Sequence, residues 1–141
     1  MTSNIDTADI SEFRKMTWDL YYTCNSISGD APDGFRQLVA SLESLHGVFQ
    51  NLGNDATSKN SEVGEDEERK NTLQRCLKSC SVTLQQLKEI VDMYRSLSFG
   101  TGKQLWQSID WTTQQGFIDE LNSKIVTHTC HLGLCVSSIS Q

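Results

Sequence analysis

The stretch LQRCLKSCSVTLQQLKEIVDMYRSL, residues 73–97, decides the fold class. Its apolar residues recur at alternating steps of four and three, which places them on one side of an α-helix. Such a stripe can seat a helix of another chain as a coiled coil. In a chain with several stripes it more often closes an intramolecular bundle. The stripe consists of Leu73, Leu77, Cys80, Leu84, Leu87, Val91 and Tyr94.

Three other segments carry stripes of the same helical period, and a short segment before the last one is rich in Leu, Ile and Trp. Because stripes of one chain bury against each other, the sequence predicts an all-α fold. We expect an antiparallel bundle of four main helices, with a short extra helix or turn before the last. It forms a single domain over residues 1–141, with helices near 9–26, 31–52, 65–98, 103–110 and 113–139.

Local signals suggest where these helices begin and end. Asp9 and Glu12 have the spacing of a capping box, so we expect the first helix to begin there. Gly53 follows the last apolar residue of the second stripe and should terminate that helix before a polar loop. Thr112 or Thr113 is the expected cap of the last helix.

Composition limits the classes of partner and compartment. The composition is typical of a globular protein, with 37% hydrophobic and 21% charged residues, and the net charge is −6. This charge argues against nucleic-acid binding, which needs a cationic face. The start of the chain does not resemble a secretory leader, and the five cysteines are an odd number, so we expect free thiols in a reducing cytoplasm. No apolar run reaches the roughly 18 residues of a membrane span.

Cysteine and histidine are the only candidates for metal chemistry. His128, His131 and Cys135 share a helical face, and Cys76 with Cys80 could supply a second ligand pair for zinc. The simpler interpretation is structural, since buried cysteine behaves as a small hydrophobe and buried histidine as a hydrogen-bonded core residue. No catalytic motif or phosphate-binding loop is present, so the sequence predicts no enzyme and no cofactor.

The three tryptophans are the clearest interface candidates. We expect Trp18 to cap the core from the first helix. Trp106 and Trp111, on the short connecting segment, are better placed for a partner, although core packing is the commoner fate of tryptophan.

Several stretches resemble the helical N-terminal domain of fungal STAND receptors (NACHT and ankyrin-repeat proteins) and related kinases, the HeLo-like group. They are spread along nearly the whole chain, and they are packing and turn motifs rather than catalytic ones. They comprise WDLYYTC (18–24), DAPD (30–33), FRQL (35–38), SLH (44–46), TLQQL (83–87), LW (105–106) and IVTHT (125–129).

The resemblance implies a non-enzymatic signalling or adaptor domain in a fungal incompatibility or immune-like cell-death pathway. It would act by self-association or by binding a homologous helical domain. A first alternative is an executioner that permeabilises the plasma membrane with its amphipathic first helix, through Phe13, Met16, Trp18 and Leu20. Glu12, Arg14, Lys15 and Asp19 are interleaved with these apolar residues, which makes deep insertion costly. A second alternative is a zinc- or redox-responsive switch that uses Cys76, Cys80, Cys130, His131 and Cys135.

Overall fold

A computed structural model describes residues 7–58, 67–97 and 102–140. Within these ranges the chain forms five helices and no strand. The predicted all-α bundle of four main helices and one short helix is therefore confirmed. The helices are α1 (Thr7–Ser26), α2 (Asp33–Ser58), α3 (Glu67–Ser96), α4 (Gly102–Ser108) and α5 (Trp111–Ser140).

The four long helices alternate in direction along the chain. Phe13 on α1 stacks on Phe49 on α2, whereas Tyr21 reaches back to Glu43, so α1 and α2 run antiparallel. The α3 and α5 helices are also antiparallel, because Thr83 contacts His128 whereas Tyr94, later in α3, donates to Gln114, earlier in α5. The most extensive packing joins α2 to α5, followed by α1 on α2 and α3 on α5, and α1 touches α3 only slightly.

The core lies between the inward stripes. All seven residues of the α3 stripe are buried, as the periodicity predicts. Fully buried leucines and two phenylalanines of α2 pack against them, together with Ile118, Ile125 and Leu132 of α5. Burying stripes from every long helix in one cluster makes the bundle close on itself.

Several predicted helix ends differ from the observed ones by a few residues. The α2 helix begins at Asp33 rather than residue 31, because the Pro32 carbonyl already accepts the amide hydrogens of Phe35 and Arg36. It also continues through Gly53 to Ser58. No described glycine has a positive φ, so Gly53 is an ordinary helical residue. An interior glycine costs a helix only about 1 kcal/mol relative to alanine, which neighbouring turns can offset.

The other termini differ for related reasons. The α1 helix begins at Thr7, which places Asp9 inside its first turn. The α5 helix begins at Trp111 because Asp110 caps it. The Asp110 carbonyl accepts the amide of Thr113 at 3.1 Å, and its carboxylate accepts the Thr113 hydroxyl at 2.8 Å. The predicted start of the third helix at residue 65 lies outside the described residues.

The α4 helix closes one end of the bundle with Trp106. Its ring packs edge-on against Phe35 (4.7 Å between centroids), Tyr94 (5.8 Å) and Trp111 (6.0 Å). Its indole N–H donates to the Ile27 carbonyl at 2.6 Å. Trp106 is thus a core residue that ties α4 to the α1–α2 turn, so core packing rather than an interface is its observed role.

Candidate functional site

The structure separates the six interface or membrane candidates by burial. Leu20 and Trp106 are buried, and Phe13, Met16 and Trp111 pack partly buried against the core. Trp18 alone among the six is open to solvent, with 46% of its surface exposed. The expectation that Trp18 caps the core was therefore wrong. Trp18 follows the fully buried Thr17, and one residue is a rotation of about 100° around a helix.

Trp18 contacts the rings of Tyr21 and His46, and Tyr22 lies one helical turn beyond it. We call the surface formed by Trp18, Tyr21, Tyr22 and His46 the α1 aromatic face. The Trp18 ring lies 5.0 Å from the His46 ring and 5.5 Å from the Tyr21 ring, both tilted. Tyr22 lies one turn beyond Trp18 and is 66% exposed. Exposed aromatic rings that neighbouring side chains hold in place offer apolar area to a partner. Little conformational entropy is lost on binding, which suits a protein interface.

Opposite charges stand at the two ends of this face. The Tyr21 hydroxyl donates to the Glu43 carboxylate at 2.9 Å, which places an anion at one end. This hydrogen bond raises the pKa of Tyr21. At the other end, partial burial and then the positive charge of Arg14 lower the pKa of His46. His46 is therefore neutral at pH 7, and Arg14 supplies the positive charge there.

The proposed zinc ligands do not converge. His128 is buried, and its Nε2 lies 2.8 Å from the Thr83 hydroxyl, while His131 and Cys130 are exposed. Cys80 is fully buried, and burial raises its pKa to about 12. In the part of the chain that the structure describes, no three His, Cys, Asp or Glu residues could jointly hold a metal ion.

Two of the candidate ligands do meet, as a pair. The thiols of Cys76 on α3 and Cys135 on α5 lie close enough for each to affect the pKa of the other. Both side chains are partly buried. Sequence reasoning had placed these two residues in one possible site but had no means of pairing them with each other.

Two surface depressions also lie among the described residues. A groove of about 490 Å³ lies between α1 and α3, two helices that pack against each other only slightly. A crevice of about 380 Å³ lies between α3 and α5. The groove has charged walls of both signs, and the crevice exposes Met93 and Phe117. Neither brings together a nucleophile and an oriented base among its lining residues. None of the described helices is both long and apolar enough to cross a bilayer.

Comparison of the chain with protein-family models, with curated proteins and with solved structures finds no match. The resemblance to the HeLo-like group thus stays a prediction.

Proposed function

We propose that this chain is a non-enzymatic interaction domain that associates with a second copy of itself, or with a homologous helical domain, through the α1 aromatic face. The observation that carries the proposal is the exposure of Trp18 and Tyr22, one turn apart on the outer side of α1. In a signalling or adaptor protein of the kind that the resemblance implies, such association would transmit the signal.

The charges of the face favour a second copy as the partner. In a two-fold symmetric pair each copy presents the same surface, so a patch must complement itself. Arg14 lies at one end of the aromatic cluster and Glu43 at the other. Antiparallel apposition of two copies therefore brings Arg14 of each copy to Glu43 of the other, with the aromatic rings between them.

Sedimentation velocity across a concentration series tests this proposal. The patch is small, so we expect reversible dimerisation with a Kd of roughly 10–500 µM, the range of weak transient complexes. Trp18→Ala should weaken it at least about ten-fold, as loss of a central aromatic contact does. Phe117→Ala is the matched control, since Phe117 is an aromatic residue of α5 that is 55% exposed. Loss of dimer with Phe117→Ala but not with Trp18→Ala would reject the α1 face.

A charge-reversal cycle tests the two-fold arrangement separately. Arg14→Glu or Glu43→Arg alone places like charges opposite each other and should weaken dimerisation. The double variant restores opposite charges and should recover it, more clearly at low salt. Equal weakening by all three variants would mean that Arg14 and Glu43 do not face each other.

The membrane-permeabilising alternative requires a different state of α1. Leu20 is buried, and Phe13 and Met16 pack against the core, so these side chains could enter lipid only if α1 left the bundle. Release of dye from anionic and neutral vesicles measures this activity. Steep leakage that disappears in a Phe13→Glu, Leu20→Glu variant would favour the executioner over the interaction domain.

A further inference from the structure

The antiparallel α3–α5 interface brings two thiols together in a fixed register. Thr83 faces His128, with 2.8 Å between the hydroxyl oxygen and Nε2. Cys76 lies seven residues before Thr83, and Cys135 lies seven residues after His128. Because seven residues are two helical turns, Cys76 and Cys135 face each other just as Thr83 and His128 do. The effect of each thiol on the pKa of the other agrees with this register.

We propose that Cys76 and Cys135 form a reversible disulfide that ties α3 to α5, with a small disulfide such as glutathione disulfide as the oxidant. This modification site does not depend on the proposed dimerisation. It narrows the redox hypothesis drawn from the sequence, which involved five residues, to one pair.

The other cysteines are unsuited to form this bond. Cys24 and Cys80 are fully buried, so an oxidant cannot reach their sulfurs. Cys130 is exposed on α5. It precedes Cys135 by five residues, a rotation of about 140°, and so points to another side of the helix. Cys76 and Cys135 alone combine partial exposure with a facing thiol.

The chemistry proceeds by two exchanges. Burial raises the pKa of both thiols, but the positive charge of Arg75 partly offsets this for Cys76. The Cys76 thiolate therefore attacks first, forming a mixed disulfide with one glutathione and releasing the other. The Cys135 thiolate then attacks the Cys76 sulfur and releases the second glutathione. Two protein thiols are oxidised to one disulfide, glutathione disulfide is reduced to two glutathiones, and the two thiol protons pass through solvent to them.

The disulfide should stabilise the bundle, because it closes a loop of about 60 residues in the unfolded chain. For a loop of this length we expect the thermal midpoint to rise by on the order of 10 °C. The cross-link lies beyond the Thr83–His128 contact, two turns from it, and fixes the register of α3 against α5.

Equilibration of the full chain in glutathione redox buffers tests the proposal. The reaction is quenched with acid, the free thiols are alkylated, and peptide mapping identifies the cross-linked cysteines. We expect an intrachain peptide pair containing Cys76 and Cys135. Cys135→Ser should retain one glutathione on Cys76, and Cys130→Ser should leave the cross-link unchanged. Exposed Cys130 also reports whether the oxidant is active. Glutathione on Cys130 with Cys76 and Cys135 still free, or a cross-link through Cys130, would overturn the proposal.

Discussion

Replacing Thr83 with valine tests the polar contact inside the α3–α5 interface. Valine keeps the shape of threonine but removes the hydroxyl that bonds to His128. Thr83 and His128 are only 3% and 9% exposed, so water cannot replace the lost partner. An unsatisfied buried polar group costs about 1–3 kcal/mol, and we expect Thr83→Val to lower the free energy of unfolding by that amount.

The position of the hydrogen between Thr83 and His128 makes the two single substitutions unequal in their cost to stability. The Thr83 hydroxyl also lies 3.3 Å from the Ser79 carbonyl. It has one hydrogen, so both bonds form together only if it donates to Ser79 and accepts from the His128 Nε2–H tautomer. His128→Leu then leaves the Thr83 hydroxyl with a partner and should cost less than Thr83→Val.

Urea unfolding of the single variants and the double variant measures the coupling. In the His128→Leu background, Thr83→Val should change stability by less than about 0.5 kcal/mol, because both buried polar partners have become apolar. Thr129→Val is the matched control, since the Thr129 hydroxyl bonds only to the Ile125 carbonyl of its own helix at 2.8 Å. An equal cost of Thr83→Val in both backgrounds would refute the reasoning.

Two further predictions concern helix packing and pH. Gly47→Ala should raise the free energy of unfolding by about 0.5–1 kcal/mol in urea titrations, because a β-carbon there meets nothing within 4 Å and alanine favours helix. Gly34→Ala should lower it, because its β-carbon would lie 3.0 Å from the packed Trp111 ring; a gain there would contradict this packing. Burial, and then His131 and Lys124, lower the pKa of His128, so the unfolded chain binds the proton more tightly and stability should fall as pH drops below about 6.5. His128→Leu should reduce this fall between pH 7.5 and 5, and an unchanged fall would assign it to other groups.

The fold could be predicted from the sequence because the apolar stripes are long and regular. All seven stripe residues of α3 are buried as their spacing required. Helix ends were less predictable, since Gly53 is an ordinary helical residue and Asp110, rather than a threonine, caps α5. Such ends depend on weak local preferences of about 1 kcal/mol, which packing overrides.

The surfaces were less predictable than the core. Trp18, which was expected to cap the core, is exposed, whereas Trp106, for which an interface was the less common expectation, is buried. Tryptophan is usually buried, and its type alone does not tell which one is exposed. The position of Trp18 outside the helical stripe of Ile10, Leu20 and Cys24 was the available signal. The pairing of Cys76 with Cys135 depends on the register between two helices far apart in the chain, which the spacing within each helix does not specify.

A dilution series followed by NMR of the tryptophan indole N–H signals tests the central claim most directly. The chain has three tryptophans, and the core contacts of Trp106 and Trp111 make them internal controls. Self-association through the α1 aromatic face predicts that the Trp18 signal shifts with concentration while the other two stay fixed. A Trp18 signal that does not move up to millimolar concentration, or equal shifts of all three signals, would contradict the proposal.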